Sequence, residues 1–209
     1  MGSEALFIAI AIVCAYLIGS IPTAYIVARL KKGVDIRQVG SRNMGTMNVV
    51  YQVGFWYGLL VLAVDIGKGA AAVALARWLG VPPLVELLAG AVVVLGHIYT
   101  VFLKFHGGRG GATCIGVFAF LMPWGIPFYV AIFGISLAVT RNPTLSYSLA
   151  FLCFPIIGWL RYRRIDLVVF SVVLLLALLV RYIPRARQMR TSGGSWRHVV
   201  RRRDLKDRL

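Results

Sequence analysis

Six long apolar runs, at about residues 5–28, 54–79, 84–103, 112–140, 145–160 and 166–182, take up most of the chain. Apolar stretches approaching 20 residues (about the span of a bilayer core) read as membrane helices. Composition agrees: 59% of the 209 residues are hydrophobic and mean hydropathy is +0.81, whereas a soluble domain is about half apolar. The chain is therefore read as an all-α polytopic membrane protein. The first run is too long for the apolar core of a signal peptide, and Glu4 stands where positive charge belongs, so it is read as a retained span. Cys14, Cys114 and Cys153 lie inside apolar runs without a CxxC pair, and read as small hydrophobes with no disulfide and no metal site.

The fourth run is interrupted by Pro123, Gly125 and Pro127, so it forms either one kinked helix or two short ones. Charge favours two. With seven spans and the N-terminus outside, 18 of the 23 Lys and Arg residues fall inside, four fall outside (Arg77, Arg161, Arg163, Arg164), and Lys68 lies within a span. Six spans would destroy this asymmetry. The positive-inside rule thus predicts about seven transmembrane helices with an external N-terminus and a cytoplasmic C-terminus. The net charge of +16 fits anionic lipid rather than nucleic acid in so apolar a chain. Residues 1–182 are expected to form the membrane domain. Residues 183–209 are expected to form a basic cytoplasmic tail on the inner leaflet, with Trp196, Val199 and Val200 dipping into the interface.

Two inner loops differ from ordinary connectors. One runs Gly40-Ser41-Arg42-Asn43-Met44-Gly45-Thr46-Met47-Asn48. The other runs His106-Gly107-Gly108-Arg109-Gly110-Gly111-Ala112-Thr113. Each is expected to open a helix whose N-terminus faces the cytoplasm. Free N–H groups and partial positive charge at a helix N-terminus suit phosphate. Glycines admit close approach of backbone to anion, and Arg42 and Arg109 add countercharge. One glycine-rich turn often only turns, and small residues in membrane helices often serve packing. Two such polar loops on one face favour anion binding.

Asp65 and Lys68, three apart, share a helix face inside the second span. Buried ionisable groups in a membrane suggest function, but an ion pair clamping helices is the reading favoured here. His97, near the inner end of the third span, is a candidate general base or phosphate ligand, or a hydrogen-bonded packing residue. Glu86 has no assigned role.

Several motifs resemble those of the integral-membrane glycerol-3-phosphate acyltransferases of bacteria that take acyl-phosphate as donor. The likeness begins at Ala15-Tyr16-Leu17-Ile18-Gly19-Ser20-Ile21-Pro22 and passes through Gly33-Val34-Asp35-Ile36-Arg37. Gly40 to Gly45 stands where the family has G-S-G-N-x-G. Asp65-Ile66-Gly67-Lys68-Gly69 matches D-x-x-K-G, and Gly96-His97 with Phe105 to Thr113 resembles G-H-x-x-P-x-F and G-G-K-G-V-A-T. The chain departs from the pattern at Thr46-Met47 (Ala-Thr in the family), Tyr51 (Arg), Thr100 (Pro) and Arg109 (Lys). The family's final H-R-x-N-I-x-R-L motif has no counterpart in Arg181 to Arg190.

The resemblance implies seven spans, a place in the bacterial inner (plasma) membrane, and transfer of a fatty acyl group from acyl-phosphate to glycerol-3-phosphate, giving lysophosphatidic acid for phospholipid synthesis. Acyl-phosphate is already activated, so positioning and electrostatics suffice, with no covalent nucleophile, cofactor or metal. Ser41, Asn43 and His97 are the candidate catalytic residues. Gly40, Gly45, Asn48, Gly107, Gly108, Arg109, Gly110 and Thr113 are the candidate phosphate-binding residues. Arginines of the 181–190 segment are candidates to replace the lost countercharge. The expected partners are the two substrates and anionic membrane lipids. A non-catalytic or altered-acceptor paralogue, and a small transporter with Asp65 and Lys68 on its pathway, are the alternatives.

Overall fold

The computed structural model describes residues 2–193, and every regular element among them is helical. In chain order these are α1 (Gly2–Ser20), α2 (Thr23–Lys32), α3 (Thr46–Gln52), α4 (Phe55–Trp78), α5 (Pro83–Ile98), a 3-10 turn (Val101–Leu103), α6 (Gly111–Leu121), α7 (Gly125–Thr140), α8 (Pro143–Ala150), α9 (Cys153–Ile157) leading into a π turn (Gly158–Tyr162), and α10 (Ile165–Gly193). Five segments are long and apolar enough to cross a membrane: Gly2–Lys32, Phe55–Trp78, Pro83–Leu103, Leu145–Tyr162 and Ile165–Pro184. Two shorter apolar helices are Gly111–Leu121 and Gly125–Thr140. The fourth apolar run is thus two helices. Proline at 123 ends the first, and a turn in which Gly125 N–H donates to the Met122 carbonyl (2.9 Å) starts the second.

The run at 5–28 lies within one candidate span, Gly2–Lys32, whose helix breaks at Ile21-Pro22, where Pro22 has no N–H to continue the ladder. Side chains from elsewhere take up the carbonyls at this break. Lys68 Nζ donates to the Ile21 oxygen (3.2 Å), and Thr100 Oγ1 to the Ser20 oxygen (2.5 Å). One expectation is corrected: the first glycine loop does not open the second span directly. It opens the seven-residue α3, which Gly54, at φ +147°, separates from α4.

The chain divides into two compact units, up to Leu121 and from Met122 onward. In the first unit, α1 and α5 cross where Gly19 meets the Val93 carbonyl and Gly96 meets Tyr16. Likewise α4 and α6 cross where Gly69 meets Thr113 and Gly116 meets Ile66. A methyl at any of these four glycines would overlap facing backbone. Lipid offers helices no hydrophobic drive to associate, so such close backbone approach supplies the packing. An apolar cluster of Ala24, Val27, Ala28, Ile36, Met44, Val49, Val53 and Val61 gathers α2, α3, the start of α4 and the first loop. Glu86 is paired with Arg77 (2.8 Å), whose guanidinium also lies over the Phe120 ring.

In the second unit, Tyr129, Phe133, Phe151 and Phe154 form an aromatic cluster. Asn142 caps α8 by accepting the Leu145 N–H, and its amide donates to the Tyr182 hydroxyl (3.3 Å). Arg161 lies over Trp124, and Arg164 pairs with Asp166. Helix α10 continues through Tyr182 and Pro184 to Gly193, so no break in the helix marks residue 183. Trp196, Val199 and Val200 lie outside the described residues. The exposed Trp56, Trp78, Trp124 and Trp159 stand near the ends of apolar helices, where indole rings meet headgroups.

Candidate active site

The first loop is built around its own polar side chains. Arg37 grips Asp35 through both carboxylate oxygens (2.7–3.2 Å) and lies over the Tyr25 ring. The guanidinium holds the Asp35 carboxyl below the usual carboxylate range, against an opposing effect of burial. Gly40 and Arg42 both adopt positive φ, at +59° and +55°. A side chain at Gly40 would meet the Asn48 and Gln52 amides. Asn48 is buried at 3% exposure. Its Nδ2 donates to the Ile36, Val39 and Asn43 carbonyls, and its Oδ1 accepts the Ser41 N–H. Expected to hold phosphate, Asn48 instead has its amide engaged by the loop backbone and sets the loop's shape. Gly45 begins α3 in an extended conformation, its N–H on the Asn43 oxygen. Ser41 is exposed and Asn43 half-buried.

The second loop is tied to the end of α5. Gly107 N–H donates to the Ile98 carbonyl and Gly108 N–H to the His97 carbonyl, each at 3.0 Å. These two amides, expected to face an anion, therefore satisfy the last carbonyls of α5, which would otherwise lack partners. The donors still directed along the axis of α6 are those of its first turn, Gly111, Ala112 and Thr113. The first bond of that helix runs from Cys114 N–H to the Gly110 carbonyl (2.9 Å). Gly110 reaches this turn with φ +90°. Arg109 is half-buried at the same place. Thr113 is fully buried, and its Oγ1 has no hydrogen-bond partner.

The two loops meet. A Cβ on Gly108 would stand 2.6 Å from the Met44 carbonyl oxygen of the first loop, and would collide with His97 Nε2. His97 is 5% exposed and lies behind the second loop, with Nδ1 3.8 Å from Asp65 Oδ1. Asp65 in turn pairs with Lys68 at 2.8 Å, both carrying less than 5% side-chain exposure. The structure thus draws both loops, His97, Asp65 and Lys68 into one region of the first unit. Sequence reasoning did not single out Met44, Ile98 or the Ile21 carbonyl as parts of this region. They contribute backbone oxygens, which residue type does not advertise. Thr100 stood out only as a departure from the family pattern, and its hydroxyl proves to be bonded to the Ser20 carbonyl.

The arrangement offers a helix N-terminus, an arginine, an exposed serine and a half-buried asparagine next to a buried ion cluster. That set suits binding of a phosphate ester at the end of a membrane helix.

Comparison with known proteins bears on this site. A family model described as glycerol-3-phosphate acyltransferase matches residues 9–192. Glycerol-3-phosphate acyltransferase 2 of Dehalococcoides mccartyi (strain ATCC BAA-2266 / KCTC 15142 / 195) is 48% identical over 206 residues, 98% of each chain. The glycerol-3-phosphate acyltransferase of Bacillus subtilis (strain 168) is 41% identical over 181 residues, covering 87% of this chain and 92% of its own. Among solved structures, the integral membrane glycerol 3-phosphate acyltransferase PlsY (YgiH), in its glycerol 3-phosphate form, superposes with a TM-score of 0.80 at 32% identity. The match covers 90% of this chain and 92% of that one. Its lysophosphatidic acid form gives a TM-score of 0.77 at 31% identity over the same shares. With a family model spanning most of its length and relatives this similar, the chain belongs to the glycerol-3-phosphate acyltransferase family.

Proposed function

We propose that the protein transfers a fatty acyl group from acyl-phosphate to the 1-hydroxyl of glycerol-3-phosphate, releasing inorganic phosphate and lysophosphatidic acid for phospholipid synthesis. Family membership supports the reaction, as do solved relatives captured in glycerol 3-phosphate and lysophosphatidic acid forms. The observation in this chain that carries it is the meeting of two glycine loops beside the N-terminus of α6 and Arg109.

The acyl carbon of an acyl-phosphate already bears a good leaving group. The protein has to hold two phosphate-bearing molecules so that the acceptor hydroxyl meets that carbon, and to stabilise the oxyanion that develops. Arg109 and the amides of Gly111, Ala112 and Thr113 supply positive potential for one phosphate or for the oxyanion. Ser41 and Asn43, on the accessible edge of the first loop, hydrogen-bond substrate. Gly40, Gly45 and Asn48 hold that loop in shape, and Gly107, Gly108 and Gly110 do the same for the second. His97 acts from behind the loop. The exposed apolar side chains of α1, α4 and α5 face lipid, from which the acyl chain enters.

In the same reading the chain makes seven spans in the bacterial inner membrane, with the N-terminus outside. The charge asymmetry of its loops supports this orientation. Arg29, Lys31 and Lys32 in the last turn of α2 meet anionic headgroups on the inner side. Incubation of purified protein with acyl-phosphate and glycerol-3-phosphate, followed by lipid analysis, tests the reaction. Lysophosphatidic acid is the expected product, and its absence with folded protein would overturn the proposal.

A further inference from the structure

A row of polar side chains and backbone groups, set close together, crosses the first unit. It starts at the break between α1 and α2, where the Ile21 carbonyl accepts from Lys68 Nζ (3.2 Å). Lys68 pairs with Asp65 (2.8 Å), and the same Asp65 Oδ1 lies 3.8 Å from His97 Nδ1. The far side of the His97 ring packs against Gly108, where Nε2 occupies the space a methyl would need. The His97 backbone also accepts the Gly108 N–H, and Gly108 abuts the Met44 carbonyl of the first loop. The row therefore joins the broken helix, α4, the end of α5 and both glycine loops.

A clamp between helices does not require this chemistry. A buried ion pair carries a desolvation cost, and apolar residues of similar volume often hold a fold as well or better. An apolar pair cannot add a second donor to the Ile21 carbonyl at the helix break, which already accepts the Thr23 N–H (3.0 Å). Nor can it set a carboxylate beside an imidazole, as Asp65 stands 3.8 Å from His97. The contacts at each end are made to backbone that shapes the candidate site, which points past simple clamping.

We propose that Asp65 and Lys68 are positioning residues for acyl transfer. They fix His97, and through it they hold the Gly107–Gly108 turn in the conformation that presents Arg109 and the start of α6 to phosphate. This rests on the reading that the second loop holds a substrate phosphate. Asp65 and Lys68 do not touch substrate. They act as the second layer behind a preorganised loop.

Steady-state kinetics of the full-length protein in vesicles test the proposal. The forms compared are the wild type, Arg109→Ala, Lys68→Arg, Lys68→Met and Asp65→Leu/Lys68→Met. Removing one charge strands the other, so the doubly apolar form is the one suited to fold. The expected result is a roughly tenfold rise in KM for whichever phosphate-bearing substrate Arg109→Ala also weakens. The kcat per folded molecule should change much less. Lys68→Arg, which keeps a charge and a donor, should return KM towards the wild-type value. A purely structural pair would lower the folded fraction and leave KM alone. Wild-type KM in the folded double variant overturns the proposal. So does failure of that variant to fold, since the pair would then be serving the fold itself. If Arg109→Ala leaves both KM values unchanged, the second loop is not the phosphate site and both proposals fall. If Arg109→Ala raises KM and the double variant does not, only the positioning role falls.

Discussion

Asn48 Oδ1 accepts the backbone N–H of Ser41 at 3.1 Å, while the same side chain donates to three carbonyls of the 36–43 segment. One amide seven residues downstream therefore fixes the backbone that carries Ser41 and Asn43. Removing it would leave several buried backbone groups without partners. Asn48→Ala should lower stability by about 1–3 kcal/mol and reduce turnover, although Asn48 meets no substrate in this reading. Asn48→Asp keeps the acceptor for Ser41 but turns a carboxylate oxygen towards carbonyls, so it should not rescue. Thermal unfolding in detergent alongside product formation checks both outcomes. Wild-type melting of Asn48→Ala would show that the loop holds itself.

Arg109 brings its charge to the first turn of α6, where the helix amides converge. Arg109→Ala should reduce kcat/KM by an amount equivalent to about 1.5–3 kcal/mol, the range for a hydrogen bond to a charged group. Arg109→Lys restores the residue of the family pattern and keeps the charge, but gives up bidentate geometry. It should retain most activity. Unchanged kinetics in folded Arg109→Ala would remove phosphate from this loop.

Met47 and Tyr51 stand in α3 where the family pattern has Thr and Arg. A tyrosine hydroxyl brings no positive charge. If the acceptor phosphate lies near the first loop, Met47→Thr/Tyr51→Arg adds a charge-assisted contact. It should lower the KM for glycerol-3-phosphate by roughly tenfold, the effect of about 1.4 kcal/mol. A kinetic titration of the acceptor decides this. No improvement in a folded double variant would place the acceptor phosphate elsewhere.

The membrane architecture was legible because its signals are local. Apolar length marked the helices, and Pro123 with Gly125 marked the split of the fourth run. Pro22 was an equally plain signal for the break in the first helix, but the apolar residues on either side hid it. The site was legible only in outline. Glycine spacing identified the two loops, but not the carbonyls that their N–H groups would meet. Gly107 and Gly108 proved to satisfy the end of α5, and Asn48 turned inward. The three-residue spacing of Asp65 and Lys68 announced their pairing, which the structure shows at 2.8 Å. Their approach to His97, about 30 residues further on, depends on how α4 packs near the end of α5. No local pattern encodes that packing.

The Asp35–Arg37 pair gives the first loop a pH dependence whose direction is fixed. Arg37 holds the Asp35 carboxyl below its ordinary value, so the folded loop prefers the ionised form. The stabilisation is fully present above the unfolded carboxyl's value of about 3.9. It is lost as pH falls through the lower folded value. Both partners remain partly solvated, which limits the effect to about 0.5–1 kcal/mol. Stability of the wild type should therefore decline below about pH 4 by that much more than in Asp35→Asn. Melting temperatures of the two proteins across that range test it, and parallel curves would show that the pair contributes nothing.

Thr100 occupies the position where the family pattern has proline, and its surroundings say what each residue offers there. Its φ of −65° is the angle a proline ring imposes, so the backbone already has the shape that proline prefers. Thr100 adds a hydroxyl, 1% exposed as a residue, that donates to the Ser20 carbonyl at the end of α1. Thr100→Val removes the donor while keeping shape, and leaves a buried carbonyl short of a partner. It should cost about 1–3 kcal/mol. Thr100→Pro loses the same bond, but it also reduces the freedom of the unfolded chain, which is worth about 0.4–1 kcal/mol at a compatible site. Proline should therefore be the milder of the two substitutions. Tyr99, at φ −120° and ψ 62°, must turn by roughly 60° in ψ to reach the extended backbone preferred before proline. Melting temperatures of the two variants in one detergent decide the order. If Thr100→Pro proves the more damaging, the hydrogen bond to Ser20 is not what the residue contributes, and the strain at Tyr99 governs the site instead.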